Sequence, residues 1–310
     1  MGRRLLAVVW LALAALPAAA EQPVVAVVKS QDLAPYDEAV TAFALEAKAR
    51  LVEYDLKGDP ARARKAFEVL KAHPPALVWA LGPLAAAGVR RELPEVPLVF
   101  ALVPNEEKYD LSGPEVTGIS LTRTARAQLE TLRALAPNTR RVGVVYAPRS
   151  SALIVESAEE AAKELGLVIV PAAVNDASEV GAKVRTLAGK VDALWMVADR
   201  TVSTVGAFEQ LLQFSRAQQV PIFALSEAQV RSGALVSLAP DIGAIGRQAA
   251  RMANRILGGL APAALPVEDP ADLDLAINIT SAKRLAQGCG LALDIFTFAA
   301  RHRYQINVFE

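Results

Sequence analysis

Small polar or charged residues follow the ends of most apolar segments of this sequence. A helix that starts at such a position presents free backbone N–H groups, which can hold a carboxylate. Carboxylate side chains such as Asp199 and Glu227 can meet an ammonium group. These residue types at these positions predict a pocket for a small polar or zwitterionic molecule. The candidate ligand-binding residues are Ser30, Gln31, Gly82, Pro83, Pro104, Tyr146, Ser150, Ser151, Asp199, Thr201, Ser226 and Glu227.

Several of these residues also have a structural interpretation. Ser150 and Ser151 can cap the helix that is predicted to follow them. Asp199 comes directly after an apolar strand pattern, and a carboxylate at the end of a buried strand needs a partner. That partner is either a ligand or the neighbouring Arg200, and we interpret Asp199 as a ligand-binding residue. We expect Asp199→Ala to weaken binding without unfolding, because a strand-end side chain contributes little to the core.

Aromatic residues make up 5% of the chain, so the composition does not indicate a large aromatic cage. Tyr36 follows the first strand pattern and Tyr146 ends a later one. The two rings are either half-buried packing residues or the two sides of a sandwich around one ring of a ligand. The sequence does not identify that ligand.

The motifs of the common enzyme classes are absent from the sequence. The two histidines, His73 and His302, do not have the spacing of metal ligands. There is no Gly-x-Ser-x-Gly elbow and no Walker loop, and the glycines around Cys289 lack the strand and helix of a dinucleotide site. We therefore predict no catalytic residue, no metal and no cofactor. A carboxylate pair that converges only in space remains an alternative.

Alternating strand and helix patterns must position the candidate residues. Val24–Val28 and Val142–Tyr146 are apolar and rich in β-branched residues, and each is followed by a polar turn and a helical pattern. The alternation predicts a parallel sheet with helices on both faces in each half of the chain. The expected fold class is α/β, with two Rossmann-like doubly wound lobes. The expected strands are Val24–Val28, Arg50–Tyr54, Ala76–Leu81, Val96–Val103, Val142–Tyr146, Leu167–Pro171, Ala193–Val197, Val220–Leu225, Ala234–Leu238 and Leu273–Ile277.

The chain length and three segments that link the halves indicate how the lobes are divided. A chain of 310 residues suits two domains of ordinary size. Ile119, Ala234–Leu238 and Leu273–Ile277 are interpreted as segments that pass between the lobes and form a hinge with several crossings. The ligand cleft is expected between the lobes. The predicted lobes are residues 21–119 with about 272–310 for the first, and residues 120–271 for the second.

The first residues have the pattern of a secretory signal peptide. Arg3 and Arg4 precede an apolar run from Leu5 to Leu16, and small residues follow up to Ala20. We predict a signal peptide over residues 1–20, cleavage after about Ala20 and a periplasmic location. Basic and acidic residues number 33 each, which leaves no basic surplus for nucleic acid. A single cysteine excludes an internal disulfide.

Ten short landmarks occur in order between about Val24 and Leu285, over nearly all of the predicted mature chain. They are Gly58-Asp59-Pro60, Leu81-Gly82 with Ala85-Ala86, Val116-Thr117-Gly118, Arg141-Val142-Gly143-Val144, Gly189-Lys190-Val191-Asp192-Ala193, Asp199 with Thr201-Val202, Val220-Pro221-Ile222-Phe223, Gly233-Ala234-Leu235, Gly246-Arg247-Gln248-Ala249-Ala250, and Asn278 with Ala282-Lys283-Arg284-Leu285. In this order they resemble the periplasmic substrate-binding proteins of ABC transporters, which have the type I periplasmic binding protein fold.

The resemblance implies a two-lobed receptor that closes on a small solute and passes it to an ABC permease and its ATPase in the membrane. Members are similar to amino-acid receptors, including receptors for aromatic amino acids. Where the family usually has a threonine after the third strand, this chain has Gly82-Pro83. Where the family usually has Asp-Pro after the fourth strand, this chain has Pro104-Asn105-Glu106. The tail from Gly288 onward also departs from the family ending.

The leading hypothesis is therefore an extracytoplasmic solute-binding protein of an ABC importer, acting as a monomer. Two alternatives remain open. One is a periplasmic sensory subunit that binds a similar ligand and docks to a membrane receptor. The other is an enzyme that uses carboxylates in the cleft.

Overall fold

The computed structural model describes residues 22–103, 106–121, 124–289 and 295–310. The predicted signal peptide and the candidate Pro104 lie outside the described residues. The helices are α1 Ala34–Glu46, α2 Pro60–Ala72, α3 Pro83–Glu92, α4 Thr124–Leu135, α5 Pro148–Glu164, α6 Val180–Arg185, α7 Val205–Gln218, α8 Glu227–Arg231, α9 Ile242–Leu257, α10 Ile279–Cys289 and α11 Ile295–His302. The strands are β1 Val24–Lys29, β2 Arg50–Asp55, β3 Leu77–Leu81, β4 Leu98–Ala101, β5 Val116–Gly118, β6 Arg141–Tyr146, β7 Val168–Ala173, β8 Ala193–Trp195, β9 Ile222–Ala224, β10 Val236–Pro240, β11 Leu273–Asn278 and β12 Gln305–Phe309.

The first sheet has the strand order β2-β1-β3-β4-β5 within the described residues, and its neighbouring strands are parallel. Every position of β3 is buried, which explains why its sequence is continuously apolar and does not alternate. Helices α1 and α9 cover one face, where the rings of Phe43 and Trp79 stack with centroids 4.1 Å apart. Helices α2 and α3 cover the other face through residues such as Phe67 and Val89.

The second sheet has the order β12-β11-β10-β9-β8-β6-β7 over the same described ranges. Its neighbouring strands are parallel except for β10 and β11, which pair antiparallel. A continuous core joins β6, β8 and β9 to α4, α5 and α7. Two mostly parallel sheets with packed helices confirm the predicted fold class.

The strand pairing corrects the predicted lobe boundaries. The sequence predicts that residues from about 272 to 310 belong to the first lobe, but β11 and β12 extend the second sheet: Leu275 pairs with Leu238 on one side and with Ile306 on the other. Conversely, α9 packs on α1 in the first lobe, although it lies in the chain between two strands of the second sheet.

Close contact between α9 and α1 explains why α9 belongs to the first lobe. Gly246 lies so near to α1 that a Cβ at this position would collide with the backbone oxygen of Ala39. Asn254 then joins the C-terminal end of α9 to the end of α1, because its Nδ2 donates to the Glu46 oxygen and its Oδ1 accepts the Lys48 N–H, each at 2.8 Å. A small residue and a paired amide therefore fix α9 to the first lobe.

In the described part of the chain, three connections pass between the sheets, and they run side by side. They lie between Gly118 and Thr124, at Asp241, and between Glu268 and Leu273. Ile119 forms a β-bridge with Glu268, and the Asp241 N–H donates to the Asp272 oxygen at 3.1 Å. Several crossings agree with the predicted hinge, but the predicted crossing segments Ala234–Leu238 and Leu273–Ile277 are wrong, because β10 and β11 both lie in the second sheet.

The C-terminal segment, whose packing the sequence left open, belongs to the second lobe. Ile295 and Ala299 of α11 are buried in its core. The ring of Phe298 lies 4.4 Å from that of His302 and 6.1 Å from that of Tyr304, measured between centroids. Strand β12 follows this aromatic cluster and pairs with β11.

Candidate ligand-binding site

Two hydroxyl groups meet the start of α3 at the carboxyl edge of the first sheet. Gly82 precedes the helix with φ 82° and ψ 173°, a conformation that favours glycine. A Cβ at Gly82 would overlap the hydroxyl of Tyr36 and lie 2.8 Å from the Ser30 hydroxyl. The Ala85 N–H donates to Ser30 Oγ at 2.9 Å. The structure therefore brings together the candidates Ser30, Gly82 and Pro83 and adds Tyr36 to them.

A charge in the second lobe also affects the pKa of Tyr36. Its side chain is buried at 8% exposure. Burial raises the pKa of Tyr36, and the positive charge of Arg200 opposes that shift by a smaller amount. The phenol therefore keeps its proton at neutral pH and can donate a hydrogen bond at the edge of the first sheet.

Asp199 is buried at 2% exposure, and its carboxylate accepts hydrogen bonds from its own lobe. Oδ2 accepts the N–H of Ala147 at 2.8 Å and the hydroxyl of Ser151 at 2.7 Å. Oδ1 accepts the N–H of Thr201 at 2.8 Å. Among the described residues, these donors are the partners of the carboxylate, and Arg200 is exposed to solvent. Asp199, Ser151 and Thr201 are thus brought together as a hydrogen-bonded group.

The predicted serine caps of α5 are wrong. Ala147 is the N-cap residue and provides no side-chain hydrogen bond, and Pro148 is the first helical residue. Proline suits this position because its missing N–H would have no intrahelical acceptor. Ser150 and Ser151 lie in the first turn, where Ser150 is exposed and Ser151 donates to Asp199.

Ser226 and Glu227 make contacts within the second lobe. Ser226 caps α8 by accepting the Gln229 N–H at 3.4 Å. Glu227 accepts from the guanidinium of Arg231 at 2.7 Å and from Asn307 Nδ2 at 3.2 Å. The carboxylate of Glu227 therefore joins α8 to β12, and its predicted meeting with a ligand ammonium remains a prediction.

Tyr146 directly precedes Ala147 in the chain, and Gln31 directly follows Ser30. Tyr146 is partly buried and packs against the core of the second lobe, which is the packing interpretation left open by the sequence. The side chain of Gln31 lies beside Gly58, within 3.8 Å of the position of a Cβ there. Pro104, the remaining candidate, is outside the described residues.

A cavity of about 220 Å³ lies at the carboxyl edge of the second sheet. It is bounded by the ends of β8, β9 and β10, by α5, and by the first turns of α4 next to the first crossing. Most of its wall is apolar, and the polar contributors are Thr124, Gln128 and Ser157. The lining residues are Leu121, Thr124, Ala125, Gln128, Ile154, Ser157, Trp195, Met196, Val197, Ala198, Leu225, Leu238, Ala239 and Pro240.

Gln128 fixes one wall of this cavity. Its Oε1 accepts the indole N–H of Trp195 at 2.9 Å, and its Nε2 donates to the Leu238 oxygen at 2.9 Å. A single buried amide therefore connects α4, β8 and β10 and holds the Trp195 ring in place.

The sequence prediction missed the cavity residues because it considered strand ends only. Gln128 lies inside α4 and Trp195 lies within a strand, so neither follows the end of an apolar segment. The available signal was a glutamine on the buried side of an amphipathic helix, next to Leu129 and Leu132 in the core. A buried amide at such a position requires partners.

Neither a metal centre nor a membrane-spanning helix is found in the same described ranges. No group of three histidine, cysteine, aspartate or glutamate side chains there could hold a metal ion. In the part of the chain that the structure describes, no helix combines the length and apolar character that a membrane span needs.

Solved structures share this architecture. A domain from Streptococcus pneumonia in complex with L-Trp is 23% identical, with 93% of this chain and 100% of that chain covered and a TM-score of 0.67. A ligand-free, open substrate-binding protein with adhesive properties from Clostridium difficile is 18% identical, with 93% and 100% coverage and a TM-score of 0.74. These likenesses show the fold, which is that of type I periplasmic binding proteins.

Sequence comparison identifies the family. The tyrosine-binding protein of Clostridioides difficile strain R20291 is 25% identical over 217 residues. The match covers 67% of this chain, and this chain spans 62% of the relative's length. A family model described as ABC transporter substrate binding protein matches residues 37–289. The chain therefore belongs to the ABC transporter substrate-binding protein family.

Proposed function

We propose that this protein is the extracytoplasmic receptor of an ABC importer and captures an amino acid with an apolar or aromatic side chain. The single observation that carries the ligand class is the apolar cavity walled by Trp195, at the sheet edge where type I binding proteins hold their ligands. The names of two related proteins, one tyrosine-binding and one in complex with L-Trp, support the same class.

The size of the cavity indicates that only the side chain of the ligand lies inside it. A volume of 220 Å³ corresponds to about seven water molecules at ~30 Å³ each. Whole small-molecule pockets usually measure about 300–1,000 Å³. The cavity therefore suits one large apolar side chain, while the charged amino and carboxylate groups of the ligand lie outside it.

The polar groups at the sheet edges suit those charged parts. The start of α3, with the hydroxyls of Ser30 and Tyr36, offers N–H and O–H donors to a carboxylate. In this proposal Asp199 has a positioning role. Because its carboxylate holds Ala147, Ser151 and Thr201, it sets the shape of two loops at the edge of the second sheet.

A ligand that contacts both lobes would favour a state in which the lobes are closed around it. A ligand stabilises closure only if it binds the closed form better than the open form. Three parallel crossings allow one lobe to rotate against the other while each sheet stays rigid. We propose that the ligand binds the closed form better because its side chain is buried in the second lobe while its carboxylate is bound by the first lobe.

Ligand screening with the purified protein tests the proposal. Thermal unfolding and calorimetry should be measured with L-Trp, L-Tyr, L-Phe and L-Leu, with their D-enantiomers, and with allitol as a polyol control. We expect an L-amino acid at a hundredfold excess over its dissociation constant to stabilise the protein by about 2.7 kcal/mol. Stabilisation by allitol alone, or by none of the amino acids, would overturn the ligand class.

A cavity-filling variant tests whether the amino acid binds in this cavity. Ala125 lines the cavity, whereas Ala228 is exposed on α8 outside it. Ala125→Leu should abolish amino-acid binding because it occupies the space of the ligand side chain, while the matched control Ala228→Leu should bind normally. Equal binding by both variants would show that the ligand lies elsewhere.

The importer role requires a cellular experiment. A strain that lacks the gene should lose uptake of the radiolabelled ligand, and the wild-type gene should restore it. Normal uptake together with a lost transcriptional or chemotactic response to the ligand would contradict import and support the sensory alternative.

A further inference from the structure

Two arginines converge on one turn at the amino edge of the second sheet, opposite the carboxyl edge that holds the cavity. Arg216 belongs to the last turn of α7, and Arg284 belongs to α10. Between them lies Gly233, in the turn that leads from α8 into β10, with a φ of 117°. The turn is on the amino edge because β10 begins directly after it and pairs in parallel with β9.

Direct contacts place both guanidinium groups at this turn. Nη2 of Arg216 lies 3.2 Å from the position of a Cβ on Gly233. The Ser281 hydroxyl donates to the Gly233 oxygen at 2.8 Å, and Arg284 Nη2 donates to the same hydroxyl oxygen at 3.5 Å. Ser281 itself is held by Asn278, whose Oδ1 accepts its N–H at 2.7 Å. The turn is therefore built by four elements and is not a loose surface loop.

Within the ranges that the structure describes, no carboxylate balances the positive charges of this two-arginine cluster. Neither Arg216 nor Arg284 takes part in an ion pair among the described residues. Nε of Arg284 is buried and has no hydrogen-bond partner in the described part of the chain, which carries a free-energy cost. Burial lowers the pKa of Arg284, and the charge of Arg216 lowers it further. The two like charges repel each other, and burial of Arg284 is unfavourable. The proximity of the two guanidinium groups therefore does not stabilise the fold.

From the convergence of Arg216, Ser281 and Arg284 around the Gly233 turn, we infer that this cluster is a binding site for a phosphate-class oxyanion. Guanidinium groups match the oxygens of phosphate in charge and in fork geometry. Two such groups balance a divalent anion, whereas a single carboxylate would balance only one of them. The ligand is either free phosphate or the phosphate of a lipid headgroup, and it is distinct from the amino acid proposed for the cavity.

Calorimetry with inorganic phosphate at low ionic strength tests this inference. Wild-type protein should bind phosphate saturably. Arg284→Met and Arg216→Gln should each weaken the affinity by about tenfold or more, since each removes a charged hydrogen-bond donor to the anion. Arg185→Gln on α6 of the same lobe is the matched control and should bind like wild type. No saturable binding by wild type, or equal affinity in all variants, would overturn the inference.

Thermal unfolding without phosphate separates a binding role from a structural one. If Arg284 serves anion binding, Arg284→Met should unfold at the same or a higher temperature than wild type, because it removes an uncompensated buried group. A lower unfolding temperature would mean that Arg284 supports the fold, and would contradict the inference even if phosphate binding were lost. Amino-acid affinity should not change in this variant, so the two proposals fail independently.

Vesicle cosedimentation distinguishes the two phosphate sources. Phosphatidylcholine vesicles with and without phosphatidic acid should be compared, for wild type and Arg284→Met. Arg284-dependent binding to the phosphatidic acid vesicles supports the site with a headgroup as its ligand. Phosphate binding in calorimetry without vesicle binding supports the site with a soluble ligand.

Discussion

The side-chain oxygen of Gln128 accepts the indole N–H of Trp195 at 2.9 Å, deep inside the second lobe. The same amide donates to the backbone oxygen of Leu238. The ring that walls the proposed ligand cavity is therefore held by a residue outside the strand that carries it, and the cavity shape depends on how α4 sits against the sheet.

Replacing Gln128 by leucine should both destabilise the protein and weaken ligand binding. The change leaves Trp195 Nε1 and the Leu238 oxygen buried without partners, at a cost of about 1–3 kcal/mol for each unsatisfied group. We expect the free energy of unfolding in urea to fall by roughly 2–6 kcal/mol. Amino-acid affinity should fall as well because the indole is no longer held.

The control is a double-mutant cycle with Trp195→Phe, which removes the indole donor. If the contact exists, the effects of Gln128→Leu and Trp195→Phe on unfolding should be less than additive. Simple additivity would show that the two side chains act independently.

Asp199→Ala should destabilise the protein, contrary to the expectation from sequence that it would only weaken binding. The substitution removes the acceptor for Ala147, Ser151 and Thr201 in a buried setting. A hydrogen bond to a charged group contributes about 1.5–3 kcal/mol, and the substitution removes three of them, so we expect a loss of at least ~4 kcal/mol in urea unfolding.

A pair of serine variants checks this account of Asp199. Ser151→Ala removes one donor and should lose about 1.5–3 kcal/mol, whereas Ser150→Ala, an identical change at the exposed neighbour, should be neutral. An Asp199→Ala protein as stable as wild type would contradict the structural role and restore the purely ligand-binding interpretation.

Gly82→Ala should lower the free energy of unfolding much more than the same substitution at a glycine with a similar φ. A Cβ at Gly82 would overlap the Tyr36 hydroxyl, whereas nothing lies within 4 Å of a Cβ at Gly189, which also has positive φ of 68°. Gly189→Ala should cost about 1–2 kcal/mol from backbone strain alone. Gly82→Ala should lose more stability and also lose affinity, because Tyr36 has to move. Equal losses in urea unfolding would mean that the tight approach does not matter.

Asp192 should make stability depend on pH in the acid range. Burial alone would raise the pKa of Asp192, but hydrogen bonds from the Arg141 side chain and the backbone N–H groups of Arg141 and Arg140 outweigh it, and the pKa is lowered from 3.8. A carboxylate with a lowered folded pKa stabilises the protein above its unfolded pKa, and this contribution is lost as the pH falls through the folded pKa.

Unfolding of wild type and Asp192→Asn over a pH series measures this effect. At neutral pH, Asp192→Asn should be less stable by about 1 kcal/mol, a modest value because Arg141 is half exposed and screened by solvent. The difference should shrink as the pH falls to about 2. A difference that stays constant over this range would rule out the titration of Asp192 as its cause.

The sequence predicted the sheet architecture well because its strands are buried on both faces. Such strands give uninterrupted apolar runs, and the predicted Val24–Val28 and Val142–Tyr146 agree with β1 and β6 to within one residue at each end. Lobe membership of the late segments could not be predicted in this way, since β11 has a pattern that either sheet could accept. Its place depends on the register with Leu238, which is a long-range contact.

The candidate site was predictable where it depends on strand ends and not where it depends on side-chain partners. Ser30 and Gly82 converge because β1 and β3 are adjacent parallel strands. The partners of Asp199 could not be inferred, because Ala147 contributes through its backbone N–H and leaves no signal in residue type. Gln128 was missed because its role depends on facing Trp195 across two elements that are distant in the chain.

The position of α9 has a consequence for how the protein is made. The first sheet is complete once Gly118 has been synthesised, but one of its faces has only α1 as its cover until the chain reaches Leu257. A ribosome must therefore add well over a hundred residues, including most of the second sheet, before the N-terminal lobe can bury Trp79 and its neighbours fully. A fragment cut at the first crossing should expose that apolar face and aggregate, so the two lobes are separate in shape but depend on each other during folding.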